Sequence, residues 1–369
     1  MKIEAIIAKG ADYARKVAKD RNWQAYLGSG VLGMTMPACF GGRGEDLSSL
    51  VALFEGLGYG DGDAGILFAL AAQLFSVQYP ILKFGSEEQK YSFLPRLISG
   101  ELRAAHAATE ADSGSDIFSI QTSAVPRSGG YRLNGSKAYI TSAPAADMSL
   151  VLASTQPLRK GWGLSTFLVD LNSDGIWRSE NIEKMGLKAA EFGEIRFHDC
   201  FVPAGRRLGS EGSGMAIFNY ALGLERGFIL APVLGLMRRQ LERAVTEANH
   251  RRRQGRTIGH FQSISNRIAD MNVRLELSRS AVYQAAALKE AGHSIKVLSA
   301  VIKLAVSEFF LASSLDEVRI AGASGYLSNN PAEVTLRDAV GGLFYSGTSD
   351  VLRNIIAHAM GVNDDDGSS

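Results

Sequence analysis

Glu225 is a carboxylate set among apolar neighbours, in Ala221-Leu222-Gly223-Leu224-Glu225-Arg226-Gly227-Phe228-Ile229-Leu230. A glutamate flanked by Leu222, Leu224, Phe228 and Leu230 loses part of its water shell, which raises its pKa toward neutrality and strengthens it as a proton acceptor. The same residues also fit a surface glutamate, or one paired with an arginine from another turn. A second group of interest is Ala108-Thr109-Glu110-Ala111-Asp112-Ser113-Gly114-Ser115-Asp116. Read by itself, this run of small and hydroxylated residues is an unremarkable polar loop. Arg251-Arg252-Arg253 reads either as a solvated helix face or as a phosphate clamp.

Several other chemistries lack their residues. Gly60-Asp61-Gly62-Asp63-Ala64-Gly65 fits G-x-G-x-x-G, but it follows an amphipathic helical pattern and puts two carboxylates where a pyrophosphate would lie. His106, His198, His250, His260, His293 and His358 show neither H-E-x-x-H nor a Cys/His spacing for zinc, so no metal is expected. There is no G-x-S-x-G elbow for a serine hydrolase. Cys39 and Cys200, far apart and in hydrophobic surroundings, read as reduced structural thiols.

Lys plus Arg (39) nearly balances Asp plus Glu (38), so no net field favours nucleic acid or an anionic membrane. The start, MKIEAIIAKGADYARK, has charges every few residues and no signal-like apolar core, and the apolar stretch from about Gly65 to Val77 is too short to span a bilayer. A cytoplasmic protein without membrane partners is expected.

The elements that must position these groups fall into three blocks. Up to about residue 107 apolar residues recur at helical spacing, as in Leu53, Phe54, Leu57 and in Tyr91, Leu94, Leu97, Ile98. Over 108–212 the pattern changes to short runs rich in β-branched and aromatic residues, such as Leu150-Val151-Leu152 and Thr166-Phe167-Leu168-Val169, with Asn134-Gly135 as a hairpin turn. Long helical patterns return over 213–363, and the acidic tail 364–369 is expected to be disordered. The expectation is an α+β chain, mostly α, with an N-terminal helical domain, a middle antiparallel β domain and a C-terminal four-helix bundle.

Five separated segments, in order, resemble the acyl-CoA dehydrogenase family. They are Gly33-Met34-Thr35-Met36-Pro37 through Phe84-Gly85-Ser86-Glu87-Glu88-Gln89-Lys90; Ala108 to Asp116 with Lys137-Ala138-Tyr139-Ile140-Thr141; Lys184-Met185-Gly186 with Phe197 to Pro203; Arg251 with Gly255, Ile258, Gly259, Phe261 and Gln262; and Gly322-Ala323-Ser324-Gly325, Arg337-Asp338-Ala339 and Phe344 to Asp350. The resemblance implies non-covalent FAD. His106, Ala108, Thr109 and Ser115 would line its ring or phosphates, with Tyr139 covering one ring face where tryptophan is common and Thr141 at the ring edge. Arg251, Gln262, Arg319, Gly322, Ala323, Thr348 and Asp350 would complete the cofactor site. In the family the arginine matching Arg251 serves the neighbouring subunit's cofactor, which implies a homodimer or homotetramer. Gln254 stands where phenylalanine is usual, and Arg319 where glutamine is usual, supplying charge for a phosphate.

Ser346 occupies the place of the catalytic glutamate of many members, directly before Gly347-Thr348, and a serine hydroxyl is too weak a base to take an α proton unaided. The strip around Glu225 resembles L-D-L-E-R of isovaleryl-CoA dehydrogenase and its long-chain relatives, where the base projects from this helix instead. The implied reaction is α,β-dehydrogenation of an acyl thioester. Glu225 takes the α proton, the β hydrogen leaves as hydride to flavin N5, and the backbone N–H of Ser346 with a ribityl hydroxyl holds the thioester oxygen. Ser115, Arg226 and Gly347 would contact the substrate, and an acceptor such as an electron-transfer flavoprotein would re-oxidise the flavin. Gly223 replaces the aspartate of the isovaleryl-type strip, which keeps open an acyl or aminoacyl group on a carrier protein in place of acyl-CoA. A flavin monooxygenase and a cofactor-free binding protein on the same fold are the competing readings; Glu225 speaks against the first, and Thr109, Ser115, Arg251 and Thr348 against the second.

Overall fold

A computed structural model describes residues 1–20, 22–156 and 163–362. The tail expected to be disordered lies outside them. The chain opens with α1 (Lys2–Val17), α2 (Trp23–Leu27), α3 (Leu47–Tyr59), α4 (Ala64–Gln73), α5 (Tyr79–Phe84) and α6 (Glu87–Ser99). The Phe84–Lys90 motif has a local cause: Ser86 and Gln89 form a reciprocal capping box at the start of α6, with Gln89 N–H on Ser86 Oγ at 3.2 Å and Ser86 N–H on Gln89 Oε1 at 3.0 Å.

Between α4 and α5 the helix widens into a π-helical turn, Leu74–Gln78, where the Tyr79 N–H donates back to the Leu74 carbonyl. The run Ala64–Phe84 therefore extends well beyond the stretch read from the sequence. Ala64–Phe84, Gly214–His250 and Lys296–Tyr326 are each long and apolar enough to cross a membrane, yet 78%, 72% and 50% of their most apolar windows are buried inside the fold. Their apolarity builds a core.

The glycines of the G-x-G-x-x-G match serve close packing. A Cβ on Gly60 would lie 2.1 Å from the Ala11 carbonyl oxygen, and one on Gly65 2.8 Å from Leu187 O and Ala190 N. Asp63 caps α4, accepting from Gly65 and Ile66 N–H, and Asp61 pairs with Arg239.

The middle sheet contains β1 (Ala104–Ala107), β2 (Ser123–Arg127), β3 (Gly130–Thr141), β4 (Met148–Ser154), β5 (Leu164–Asp170), β6 (Ile176–Arg178), β7 (Phe192–Pro203) and β8 (Arg207–Leu208). Its order is β6-β7-β3-β2-β4-β5-β8, with β1 also on β4. The antiparallel expectation needs correction: the sheet is mixed. β1 runs parallel to β4, with Ala104 opposite Met148, and β2 is parallel to β4 at Ser123 and Ser154. Both pairs are joined by long connections, which is the condition for parallel pairing. Arg103 sets the start of β1, with its N–H on Asp147 Oδ2 at 2.8 Å and its carbonyl accepting from Asp147 N–H at 2.8 Å. The hairpin expectation also fails at its turn. Ser128-Gly129 joins β2 to β3, while Asn134-Gly135 lies inside β3 at a break in register against β7. Gly135 is required there by contact, since a Cβ would sit 2.6 Å from Thr122 Cα.

The C-terminal block is α7 (Gly214–Phe228), α8 (Ala231–His250), the short hairpin β9 (Arg252–Arg253) and β10 (Arg256–Thr257), α9 (Gln262–Glu290), α10 (Lys296–Ala321), α11 (Pro331–Gly341) and α12 (Ser349–Ala359). Helices α7 to α10 pack on one another as a four-helix bundle, and one continuous apolar core joins them to α3 and α4 through Leu57, Leu70, Phe75, Phe228, Leu234, Leu275 and Ile302. The arginine triplet therefore does not form a helix face: Arg251 caps α8, and Arg252 and Arg253 enter a turn in which Gln254 and Gly255 both have left-handed φ.

Candidate active site

Glu225 projects from the last turn of α7 into the core and is 8% exposed. The Ser76 hydroxyl, from the π-helical turn, donates to its Oε1, and the Ser346 hydroxyl is hydrogen-bonded to the same carboxylate. Burial pushes the Glu225 pKa above its ordinary value, against the opposing pull of these two hydroxyls and of the charges on Arg226 and Lys303. Neither a surface position nor an arginine pair describes this glutamate. A desolvated carboxylate kept ionisable by hydroxyls is suited to accept a proton from carbon.

Opposite Glu225 lies the loop 342–348. Ser346 has φ +55° and Gly347 φ +101°, and the fold holds the loop in this conformation from two sides. Arg226 Nε donates to the Ser346 carbonyl at 3.0 Å, and a Cβ on Gly347 would stand 3.3 Å from Arg226 Nη2. Lys303, fully buried on α10, donates to the carbonyls of Gly342 at 2.6 Å and Gly347 at 2.8 Å. Burial and the neighbouring Arg226 lower the Lys303 pKa to about 7. Among the described residues no acceptor takes the Ser346 backbone N–H, so it is free to bind an oxygen. Thr348 caps α12 with its hydroxyl oxygen on Val351 N–H at 3.3 Å; the Ser349 hydroxyl beside it is buried without a partner, and Asp350 is exposed and paired with Arg353.

On the sheet, Tyr139 takes a left-handed φ of +61° at a register break in β3 and is 60% exposed, three residues before the strand gives way to Ser142. Thr141 ends the same strand. The loop carrying Ala108, Thr109 and Ser115 is tied to this strand: Ala138 N–H donates to Thr109 O at 3.0 Å, and Lys137 Nζ donates to Ala108 O and Glu110 Oε1, both at 2.8 Å. Glu110 also accepts from the N–H groups of Gln121 and Thr122, at 2.7 and 2.9 Å. Burial lowers the Lys137 pKa to about 8, and burial with the positive Lys137 lowers that of His106 on β1 to about 4, keeping its imidazole neutral. An outward aromatic ring in strained backbone, with a pinned loop of small residues beside it, fits a planar ring such as an isoalloxazine.

The remaining predicted cofactor residues gather elsewhere. Arg251 Nη1 donates to Ala321 O at 2.7 Å, and a Cβ on Gly322 would approach it to 2.9 Å, so Arg251, Gly322 and Ala323 form one cluster where α8 and α10 end. Arg319 is engaged with Asp316 at 3.2 Å, an acid that Arg267 and Arg274 also bind, and Gln262 begins α9. Helix α8, 20 residues long, spans about 30 Å and separates this cluster from Glu225.

Sequence reasoning missed Ser76, Glu110, Lys137 and Lys303 as contributors. A lone lysine in Ala300-Val301-Ile302-Lys303-Leu304-Ala305-Val306 was a visible signal for a buried amine. Nothing local could announce the other contacts, which join distant segments.

Comparison with known proteins identifies the family of the chain. Residues 3–101, 105–200 and 212–361 match the family models "Acyl-CoA dehydrogenase, N-terminal domain", "Acyl-CoA dehydrogenase, middle domain" and "Acyl-CoA dehydrogenase, C-terminal domain". The L-prolyl-[peptidyl-carrier protein] dehydrogenase of Pseudomonas fluorescens is 39% identical, over 97% of this chain and 94% of its own. Among solved structures, the prolyl acyl carrier protein oxidase AnaB superposes with a TM-score of 0.95 at 37% identity, over 98% of this chain and 99% of that one. PigA with FAD and proline superposes with a TM-score of 0.93 at 34% identity, over 98% and 97%. With all three domains matched in order, the chain belongs to the acyl-CoA dehydrogenase family.

Proposed function

We propose that this chain is an FAD-dependent dehydrogenase that removes the α and β hydrogens of an aminoacyl thioester, a prolyl group in the first instance, carried on a protein's pantetheine arm, with Glu225 as the base. The dehydrogenase class comes from family membership. The observation that carries the reading is the placement of Glu225: buried, raised in pKa, hydrogen-bonded by two hydroxyls and facing a loop whose Ser346 N–H is free.

FAD, when bound, would supply the hydride acceptor for the β hydrogen. The chain's own residues align and polarise the substrate. Glu225 takes the α proton, and the Ser346 N–H donates to the thioester oxygen as enolate charge grows there, a donor already in place before the charge appears. Arg226 and Lys303 hold that N–H by fixing the loop's carbonyls. Tyr139, Thr141 and the pinned loop at Thr109 would hold the ring of the cofactor.

Two observations support a carrier-bound substrate. The Pseudomonas dehydrogenase and the AnaB oxidase act on prolyl groups held by carrier proteins. In addition, no atom lies within 4 Å of a Cβ built on Gly223, so packing does not demand this glycine, and its side of α7 is open where isovaleryl-type members carry an aspartate. The test is anaerobic mixing of the FAD-loaded protein with L-prolyl carrier protein, L-prolyl-CoA and a panel of acyl-CoA thioesters while flavin absorbance is followed. Rapid bleaching by the prolyl carrier protein is expected. Bleaching only by simple acyl-CoA thioesters would overturn the substrate assignment, and a protein that takes up no FAD would overturn the whole.

A further inference from the structure

Ser76 touches the base but has no part in the steps assigned to Glu225 and the Ser346 N–H. It is one of three polar residues on the otherwise apolar stretch from Gln73 to Gln78, and all three are buried. Gln73 and Gln78 anchor backbone: Gln73 bonds Leu97 O and Ala104 N–H, at 3.3 and 2.7 Å, and Gln78 bonds Leu32 O at 2.8 Å. Ser76 instead donates to a titratable side chain, Oε1 of Glu225 on α7. It does so from the one π-helical turn among the described residues, closed by Tyr79 N–H on Leu74 O. The extra residue in such a turn rotates the downstream side chains by about 100° relative to an uninterrupted α-helix. The turn packs directly against α7.

We propose that Ser76 is a positioning residue for the α-proton step: from the π-helical turn it fastens Oε1 of Glu225 and so fixes the orientation in which the carboxylate meets the α proton. The inference rests on Glu225 being the base. A glutamate with three rotatable bonds reaches its substrate carbon in many orientations, and a hydroxyl fixed to the helix behind it removes most of them. The proton passes from the α carbon to the Glu225 carboxylate, and Ser76 keeps its own. Because the hydroxyl donates to the carboxylate, it also favours the ionised base. The other groups facing Glu225 are Arg226 from its own helix, Lys303 from α10 and the Ser346 hydroxyl from the loop. None of them comes from the π-helical turn, so Ser76 can be altered without moving them.

The test is the pH dependence of anaerobic flavin reduction by L-prolyl carrier protein in Ser76→Ala, Ser76→Thr and Glu225→Gln, with FAD content measured for each. Ser76→Ala is expected to retain FAD and to move the acid limb of the rate profile upward by about one pH unit or more, with a rate loss of ~10-fold or more at the acid end. Substrate dissociation constants from the same traces should stay within about threefold, since the substrate's own contacts are intact. Ser76→Thr, which keeps a hydroxyl, should restore the limb. Ser76→Cys, a weaker donor, should move it part of the way, and it carries the test if the alanine variant does not fold. An acid limb unmoved in Ser76→Ala, or in Ser76→Cys where that variant stands in, overturns the proposal, as does a threonine variant that behaves like alanine. Glu225→Gln separates the role of the base from that of its anchor. If that variant reduces flavin at the parental rate, Glu225 is not the base; if it is inactive while the Ser76 limb is unmoved, only the role of Ser76 falls.

Discussion

Lys303 Nζ lies 2.8 Å from the carbonyl oxygen of Gly347, tying the first third of α10 to the residue directly after Ser346. Its second bond, to Gly342 O at 2.6 Å, closes the other end of the same loop. Lys303→Met would keep the length of the side chain and leave one buried and one half-buried carbonyl without this donor, at about 1–3 kcal/mol for the buried one. Because the variant also removes a buried amine, the expected net loss is about 2 kcal/mol, read as a lower melting temperature. Flavin reduction should slow by ~10-fold with FAD retained, because the Ser346 N–H loses its fixed position.

Glu225→Gln should keep FAD and thioester binding while flavin reduction falls by ~10²–10⁴-fold, the range for loss of a general base. Glutamine retains the volume, so packing cannot account for such a loss. In the double variant Glu225→Ala with Ser346→Glu, a carboxylate returns from the facing loop, and part of the rate should return with it. Stopped-flow reduction at one saturating thioester concentration checks both.

The Glu110–Lys137 pair predicts a stability effect coupled to the cofactor. Lys137→Met strands a carboxylate that is 7% exposed, at about 3–5 kcal/mol for breaking a buried pair, and leaves the Thr109 loop held to the strand of Tyr139 only by the Ala138 N–H bond. The variant should melt lower and lose FAD on gel filtration. Adding Glu110→Gln should recover part of the melting temperature, because the stranded charge is gone.

Asp338, on α11 where that helix meets Met185–Leu187, has a pKa raised by burial from 3.8 to about 6, and it accepts from Leu187 N–H at 2.6 Å. A carboxyl with a raised folded-state pKa binds its proton more tightly folded than unfolded. The parent should therefore lose stability as pH rises from ~4 to ~6. Asp338→Asn keeps an oxygen for Leu187 and never ionises. It should be more stable than the parent by about 2–3 kcal/mol above neutrality, with the two unfolding curves converging toward pH ~4.

Arg251 predicts an oligomer. About 30 Å of α8 separates it from Glu225, so a cofactor role for this arginine is best met at a neighbouring subunit's site. Arg251→Ala should weaken FAD binding by ~10-fold or more with little change in melting temperature, since its ion pair with Glu247, 3.6 Å long and half exposed, and its exposed bond to Ala321 O add little to folding. Sedimentation of the FAD-loaded parent should show a dimer or tetramer; an active, FAD-loaded monomer would remove this reading.

The sequence by itself determined the order of the three blocks, because helical and strand periodicity are local properties that survive without knowledge of contacts. It also offered the candidate strips: Glu225 among leucines, the Ala108–Asp116 loop, Tyr139 with Thr141, and Ser346 before Gly347-Thr348. The tertiary structure decided what those strips do to one another. Asn134-Gly135 has the chemistry of a turn, but pairing with β2 and β7 on either side holds it within a strand, and the turn falls to Ser128-Gly129. Parallel pairing of β1 with β4 depends on a crossover too long for any local pattern to register. Above all, Glu225 owes its environment to Ser76, 149 positions earlier in the chain, and to Ser346 and Lys303 far downstream. A pKa is set by the dielectric and the hydrogen-bond donors around a group in space, so a carboxylate that any of several environments could have tuned became a buried, hydroxyl-bonded one only when the π-helical turn, α7 and α10 packed together.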